Sequence, residues 1–341
     1  MTPGVRAVRQ SVALTALSHV AVVALRGPDA IEVLDRAVPK ELFLRDGDVL
    51  QTLFLRDDGT VLADVLAVAD EQDFLLLIEG LGAAEAVAHL EGLRGPDEDA
   101  AATDLSAEAS LLGIDGPYAW ELLATVVGAE VVGLPYLHAV ALDRGEVLVR
   151  AGKTGEFGYI VLAEPAVLAE RVAELEAAGA ALDLGWATVE DLDGCAVENG
   201  FFTPRTPGLA DLDPAALQLQ WRVSPAKESY IGAPVVRALL ATEVPQRLCM
   251  LVGGEAEEGS AVLHDGQAVG RVLSTVHAPT ANRPLVLALV DGAVAHPGQR
   301  FDAGMELQAV TLPLVNNRSL YVDPQKHTYA GRAADTFPDV A

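Results

Sequence analysis

Residues 150–162 contain a carboxylate, Glu156, in a turn flanked by glycines. The β-branched and aliphatic residues on each side predict strands at 146–150 and 159–162, so the turn closes a hairpin. A carboxylate in such a turn can accept two N–H donors, and the edge of a flat heterocycle such as a pterin offers that pair. A folate site is therefore one interpretation of Glu156, and a solvated side chain in an ordinary hairpin loop is the other.

A second carboxylate, Asp64, interrupts the strongly apolar stretch 61–68, V-L-A-D-V-L-A-V. If this strand is buried, loss of solvation raises the pKa of the aspartate toward working pH, where it can hold or receive a proton in catalysis. An exposed place on an alternating strand is an equally simple interpretation. The residue types alone leave both open.

Composition argues against several classes of function. The 341 residues suffice for two or three domains, and 51% of them are apolar, which is ample core material. A formal net charge of −26 disfavours nucleic-acid or anionic-membrane partners, because both attract basic patches. The two cysteines and seven histidines show neither a disulfide framework nor metal-ligand spacing, so no metal is predicted.

An apolar stretch at 12–25 follows two arginines and superficially resembles a signal peptide. Ser18 and His19 interrupt the stretch, and no A-x-A cleavage site follows it. We therefore expect a buried strand in a cytoplasmic protein. His19 is expected to be a core or loop histidine, and a place in a substrate pocket is the weaker alternative.

The chain contains an internal duplication. Residues 22–34 and 111–123 share an apolar strand, a Gly-Pro pair and a helical spacing of Ala, Glu and Leu. The remaining pattern predicts strands at 49–55, 60–68 and 74–78 and helices at 82–92, 165–178 and 188–198. Strands and helices thus interleave without a regular βαβ rhythm, which favours an α+β fold.

Beyond residue 244 the pattern changes to short alternating strands, predicted at 247–252, 260–264, 268–275, 285–290 and 306–313. This spacing is typical of a small all-β barrel or jelly roll. The last dozen residues look like a loose tail. We expect a surface loop at 316–318, and we expect Trp186 and Trp221 in the core.

Six short motifs, in order, resemble the glycine-cleavage T-protein (aminomethyltransferase) superfamily over nearly the whole chain. They are L-S-H with G-P-D-A (17–19, 27–30), G-T-V-L-A-D (59–64), T-G-E-F-G-Y (154–159), V-E-N-G (197–200), K-E-S-Y-I-G (227–232), and V-G-R-V-L-S with A-P (269–274, 278–279). The resemblance implies three domains in a ring around a central hole that holds tetrahydrofolate. We expect these domains at 1–47 with 118–190 (α+β), 48–117 with 191–243 (ferredoxin-like α+β) and 244–330 (barrel), followed by a tail at 331–341.

The resemblance also implies roles for single residues. Asp64 matches the second acid of a D-D pair beside the one-carbon nitrogen, and Glu156 matches the carboxylate that anchors the pterin, with Tyr159 next to it. Lys153 stands where the family has Tyr and is expected to supply positive charge near the folate glutamate tail. Glu198 is expected either to bind the cofactor or to serve in a cap or salt bridge.

Other departures from the family pattern surround these residues. Ala63 replaces the first acid of the pair, Glu79 replaces an Asn, and Ala196 replaces an Arg. Glu79 is thus a candidate for the substrate pocket, and it is the nearest alternative acid to Asp64. Because Asp64 and Glu156 are retained among these changes, we expect a retained folate and a changed co-substrate.

We predict a tetrahydrofolate-dependent one-carbon transferase that moves a methyl or aminomethyl-type group between folate N5 and a small molecule. The authentic glycine-cleavage aminomethyltransferase and a folate-binding protein without catalysis are the alternatives. A lipoyl carrier protein is a disfavoured partner, because the family's carrier is typically acidic and like charges weaken docking. No nucleic-acid or membrane partner is expected.

Overall fold

The computed structural model describes residues 1–340. Its α-helices are α1 (Pro3–Gln10), α2 (Ala30–Ala37), α3 (Ala83–Leu93), α4 (Ala119–Val126), α5 (Pro165–Gly179), α6 (Val189–Asn199) and α7 (Ala233–Leu240). Its strands are β1 (Ala13–Ala16), β2 (Ala21–Arg26), β3 (Val49–Leu55), β4 (Val61–Asp70), β5 (Asp73–Glu79), β6 (Ala101–Asp104), β7 (Ser110–Asp115), β8 (Ala139–Ala141), β9 (Val147–Val149), β10 (Gly158–Ala163), β11 (Gly185–Trp186), β12 (Gln246–Val252), β13 (Ala261–His264), β14 (Gln267–Ala278), β15 (Arg283–Asp291), β16 (Arg300–Asp302) and β17 (Glu306–Ala309).

The first sheet has six strands in the order β11-β1-β7-β10-β9-β8. All neighbours are antiparallel except the parallel pair β1–β11. Leu14, Ile114 and Tyr159 from its central strands share a core with Leu122 of α4 and Leu175 of α5. The helices therefore cover one face of this sheet.

The second sheet has five antiparallel strands in the order β3-β4-β5-β2-β6. Its core joins β4 residues such as Ala63 and Val65 to α2 and α3. Successive side chains of a strand point to opposite faces, so Asp64 and Leu66 face away from these helices. Leu66 accordingly packs with Leu111 of the first sheet.

The duplication is present as two strand–helix units, β2–α2 and β7–α4. Their glycines, Gly27 and Gly116, have φ of +120° and +142°, a region that favours glycine. An added Cβ would lie 2.3 Å from the Asp99 carbonyl oxygen at Gly27 and 2.5 Å from that of Ser11 at Gly116. Each copy thus uses its glycine for the same close backbone approach.

The two copies lie in different sheets, and this crosses the expected domain ranges. Those ranges group 21–26 with the first sheet's strands and 110–115 with the second's, whereas the structure pairs β2 with β5 and β6 and pairs β7 with β1 and β10. For β2, the change of sheet follows a turn in which the Val20 N–H donates to the Leu17 carbonyl. It splits the single strand predicted at 12–25 into β1 and β2.

The third unit is a closed barrel in the order β12-β15-β14-β13-β16-β17, which confirms the all-β prediction. The short strand β16 was missing from the predicted set, and the strand expected at 306–313 ends at Ala309.

The chain after the barrel returns to the first sheet, where Val322 and Tyr329 join the core. The expected loose tail is wrong, since Phe337 packs against this core and the Asn316 N–H donates to the Val340 carbonyl at 2.8 Å. Asn317 is also buried, so 316–318 is not a plain surface loop. Along residues 1–340, no helix is both long and apolar enough to cross a membrane.

Candidate functional site

A cavity of about 80 Å³ lies between the two sheets and α6. Its apolar walls come from both sheets, from the turn after β1 and from α6: Leu17, Leu66, Ile160 and Leu192. Its polar lining includes His19, Gln51, Glu79, Asp115, Lys153 and Arg205. The cavity is therefore an apolar slot with charged groups at its edge.

Six alternating charges form a continuous line beside this cavity, which we call the charged row: Arg222, Asp64, Lys153, Glu79, Arg205 and Asp193. The Arg222 Nη1 donates to Asp64 Oδ1 at 2.5 Å, and Lys153 Nζ lies 2.8 Å from Asp64 Oδ2 and donates to Glu79 Oε1 at 2.8 Å. Arg205 Nη1 donates to Glu79 Oε2 at 2.8 Å, and its Nε donates to Asp193 Oδ2 at 2.9 Å. The row has no net charge.

Strand pairing explains why a lysine lies at the centre of the row. Asp64 on β4 and Glu79 on β5 are directly opposite each other in the antiparallel register. Like charges in that arrangement destabilise a sheet. Lys153 reaches across from the first sheet and contacts both carboxylates, so the pair of acids is compensated by a group from another unit.

The charged row determines the ionisation state of two predicted site residues, Glu79 and Lys153. Burial by itself would raise the pKa of Glu79, but the charges and hydrogen bonds of Lys153 and Arg205 outweigh it and lower that pKa to about 2. Burial opposes the charge of Lys153, yet Asp64 and Glu79 raise the pKa of Lys153 above its ordinary value. Glu79 is thus a fixed anion rather than an acid, and Lys153 is held by carboxylates of this chain.

Asp64 is 3% exposed, which resolves the choice left open by the sequence in favour of burial. It lies on the face of β4 that looks toward the first sheet, and it contacts two cations. Its carboxylate is therefore surrounded by charge as well as by apolar strand residues.

The structure places Glu156 away from the cavity lining. Its Oε1 accepts from the Arg318 N–H at 3.0 Å, and its Oε2 accepts from the Ser319 N–H at 2.8 Å and the Ser319 hydroxyl at 2.6 Å. Burial raises the pKa of Glu156, and these donors oppose that shift. The hairpin carboxylate does accept a pair of N–H donors, but they belong to the C-terminal segment of the same chain.

Tyr159 and Ile160 show which face of the hairpin meets the cavity. Tyr159 is 1% exposed and packs in the core between the sheet and its helices, whereas Ile160 lines the cavity. Burial raises the pKa of the Tyr159 hydroxyl. The predicted neighbour of the pterin therefore lies on the opposite face of its strand.

Glu198 belongs to a buried junction between the domains rather than to the cavity. Its Oε2 accepts from Arg9 Nη2 at 3.1 Å, and its Oε1 accepts from the backbone N–H groups of Thr280 and Ala281. Arg9 also donates to the Thr154 carbonyl and to Asn317. The salt-bridge interpretation of Glu198 matches this geometry, and the guanidinium of Arg9 joins α1, the hairpin, α6 and the C-terminal segments.

His19 lies in the turn after β1, half-buried, and lines the cavity. Burial lowers the pKa of His19, and the charge of Arg205 adds to that effect. The imidazole is therefore neutral near pH 7.

Asp115 is a cavity residue that the sequence analysis missed. It ends β7, is 6% exposed, and accepts a hydrogen bond from the Thr154 hydroxyl at 3.0 Å. Burial raises the pKa of Asp115 to about 7, against the opposing effects of Thr154 and Arg9. The available signal was its place in the duplication, where the equivalent residue of the first copy is Arg26.

The sequence analysis also missed Arg222, Arg205 and Asp193, because they lie in a connecting segment or on a helix with no motif of their own.

The two tryptophans expected in the core are both exposed. Trp221, next to Arg222, is 52% exposed, and Trp186 is 46% exposed. In the described residues, no cluster of three or more His, Cys, Asp or Glu side chains is arranged to hold a metal ion.

The fold and two matches to family models together define the class of protein. The GCVT N-terminal domain model matches residues 2–227, and the glycine cleavage T-protein C-terminal barrel domain model matches residues 246–317. The chain therefore belongs to the glycine-cleavage T-protein family. Its two sheets and closed C-terminal barrel are the fold that this assignment requires.

Similar proteins span most of the chain. An aminomethyltransferase of Corynebacterium aurimucosum is 28% identical over 86% of this chain and 82% of its own length, and one of Thermus thermophilus is 29% identical over 90% and 88%. The crystal structure of the glycine cleavage system aminomethyltransferase T from Bartonella henselae superimposes with a TM-score of 0.77. That alignment has 22% identity and covers 92% of this chain and 89% of the other, so it supports the fold.

Proposed function

We propose that the protein is a folate-dependent one-carbon transferase in which Asp64 handles the proton at the one-carbon nitrogen of tetrahydrofolate. The observation that carries this proposal is the retained Asp64, buried on the face of β4 directed toward the first sheet, in a chain that matches both family domains. A one-carbon unit on N5 is activated or released when a proton moves, and a carboxylate at that nitrogen can hold or receive it.

The chemistry of the cavity suits a flat heterocycle. Leu17, Leu66 and Ile160 provide apolar surface for a ring, and Gln51 and Asp115 provide polar groups for its edge. Asp115, rather than Glu156, is the carboxyl group that we assign to the pterin edge. Its pKa near 7 lets it act as donor or acceptor at physiological pH.

The cavity is small for a folate, and this sets a condition for binding. Pockets for ligands of this size usually measure about 300–1,000 Å³, and the cavity measures about 80 Å³. Folate binding therefore requires the side chains of the charged row to move. Lys153 is the residue of the charged row that reaches from the first sheet to the acids of the second, so its displacement would widen the cavity most directly.

For the group transferred, the relatives favour an aminomethyl-type unit. The two relatives described above are aminomethyltransferases, so the glycine-cleavage reaction is the first candidate. Transfer to or from a small molecule is the second, and the net charge of −26 favours it because an acidic carrier would be repelled.

The experiment is calorimetry with tetrahydrofolate followed by transfer assays with two donors. We expect saturable binding without added metal, and one-carbon transfer from either an aminomethyl-loaded carrier protein or a small methylamine. Product formation with the carrier alone would assign the glycine-cleavage reaction. Saturable binding with no transfer from any donor would favour a folate-binding protein without catalysis, and no saturable heat would overturn the proposal.

A further inference from the structure

Arg222 is a buried arginine in which two of the three side-chain nitrogens have no hydrogen-bond partner among residues 1–340. Its side chain is 0% exposed, and Nη1 donates to Asp64. Its Nε and Nη2 have no hydrogen-bond partner in the part of the chain that the structure describes. A buried donor without a partner is costly and rare in native proteins, so this pair of donors calls for an explanation.

The two unused donors are the ones that bind a carboxylate side-on. The guanidinium is planar, and its Nε–H and Nη2–H point in parallel along one edge, which matches the two oxygens of a carboxylate.

The same chain shows that edge in use twice. Arg171 donates from Nε and Nη2 to the two oxygens of Glu146 at 2.8 and 2.7 Å. Arg205 donates from the same two atoms to Asp193 at 2.9 and 2.5 Å. Arg222 therefore presents the same fork without a carboxylate of this chain on it.

The surroundings of Arg222 favour an anion. It lines a cavity of about 450 Å³ between the connecting segment and the barrel, together with Trp221 and His296. The Trp221 ring centroid lies 4.8 Å from the guanidinium carbon and 5.8 Å from Lys40 Nζ. Two cations thus meet at one half-exposed ring, in a chain whose overall charge is strongly negative.

We propose that the Nε and Nη2 fork of Arg222 binds a carboxylate group of a small-molecule ligand beside Asp64. This deepens the proposed function, on which it rests for the identity of the ligand: the carboxylate belongs either to the co-substrate or to the glutamate tail of folate. Trp221 covers the guanidinium and is itself half exposed, so the movement of one surface side chain opens the fork.

The test compares Arg222→Lys with wild type. Lysine keeps the positive charge beside Asp64 but cannot present a planar fork. Arg171→Lys is the matched control, because it makes the same change at a fork that Glu146 already occupies. The ligands are p-aminobenzoylglutamate and glycine, and calorimetry measures their affinities for all three proteins. In wild type, the ¹⁵N resonance of the Arg222 Nε–H, identified by its loss in Arg222→Lys, reports contact with the fork.

We expect at least one of the two ligands to shift that resonance and to bind Arg222→Lys about ten- to a hundredfold more weakly, the range for a lost charge-assisted contact. Arg171→Lys should bind like wild type. An unmoved Nε resonance at saturation with both, or equal affinities in Arg222→Lys and wild type, would overturn the proposal.

Further binding measurements distinguish the folate tail from the co-substrate as the source of the carboxylate. They also distinguish a failure of this inference from a failure of the proposed function. If the fork holds the folate tail, Arg222→Lys loses affinity for tetrahydrofolate but not for tetrahydropteroate, which lacks the glutamate. If it holds the co-substrate, both folates bind the variant normally and the affinity for glycine falls. Carboxylate binding at Arg222 without any tetrahydrofolate binding would refute the proposed function and leave this inference standing.

Discussion

Asp64 and Glu79 are opposed acids with different environments. Glu79 contacts Lys153 and Arg205, which hold its pKa at about 2, and it remains an anion at any working pH. Asp64 contacts Arg222 and Lys153, and the proposed binding of folate displaces Lys153. We therefore propose Asp64 as the group that transfers the proton, rather than Glu79, which the sequence had offered as the substitute.

Replacement of Asp64 by Asn should separate binding from transfer. The amide keeps the shape but cannot take the proton, so we expect turnover to fall by about two to four orders of magnitude while tetrahydrofolate affinity is largely kept. Stability should also fall, by about 3–5 kcal/mol, because Arg222 and Lys153 lose a buried counter-charge.

Glu146→Gln is the control for that experiment. Glu146 is also a fully buried carboxylate in an ion pair, with Arg171, but it takes no part in the charged row. Its loss should lower stability and leave turnover unchanged. If Asp64→Asn stayed within a few-fold of wild type in turnover, the assignment of the proton to Asp64 would be wrong.

Asp115 should make stability depend on pH. Its pKa is about 7 in the folded protein and about 3.9 in an unfolded chain. Its contribution to stability is therefore complete below about pH 4 and is lost as the pH rises through 7.

Asp115→Asn removes that loss. The free energy of unfolding of the variant relative to wild type should rise by about 2–4 kcal/mol between pH 4 and pH 8, since a pKa difference of one corresponds to about 1.4 kcal/mol. Urea unfolding at several pH values measures the difference. A difference that stays flat with pH would show that Asp115 is ionised in the folded protein.

Among the elements, the hairpin between β9 and β10 carries two separate roles. Lys153, at its beginning, reaches into the charged row, whereas Glu156 binds the backbone of 318–319. Arg9 ties the same loop to Glu198 and Asn317. The hairpin is thus both a wall of the site and the anchor of the C-terminal segment.

Glu156→Ala should act mainly on that anchor. We expect a loss of about 2–4 kcal/mol in stability, because two backbone N–H groups and a hydroxyl lose a charged partner. Hydrogen exchange of residues 316–322 should become faster. A fall of one to two orders of magnitude in tetrahydrofolate affinity, with unchanged exchange at 316–322, would instead support the contact between Glu156 and the pterin.

For the whole molecule, the net charge of −26 controls how it meets a charged partner. An acidic carrier protein should associate slowly at low salt, and its association rate should increase as salt rises from about 0.01 M to 0.15 M, since the screening length shortens from about 30 to 8 Å. Stopped-flow association with a purified lipoyl carrier measures this. A rate that decreases with salt would reveal a local basic docking patch that overrides the net charge.

Local sequence predicted many of the helices and strands, because their signals are local, but it did not predict α1, β6, β8 or α7. The predicted strand 49–55 is β3 to the residue, and the helix predicted at 188–198 is α6 within one residue at each end. Side-chain alternation and turn residues act over a few positions, so they can be read from a single chain. The six ordered motifs in turn indicated the family that the domain matches then established.

The tertiary structure alone decided which groups meet. Arg222 and Asp64 are 158 residues apart, and Lys153 and Glu79 are 74 apart, so no local pattern could predict their contacts. On β10 both faces are buried, and alternation therefore could not show that Ile160 rather than Tyr159 meets the cavity. The sequence predicted that Glu156 accepts the N–H pair of a pterin, and only the packing of the C-terminal segment shows that the Arg318 and Ser319 N–H groups donate to it.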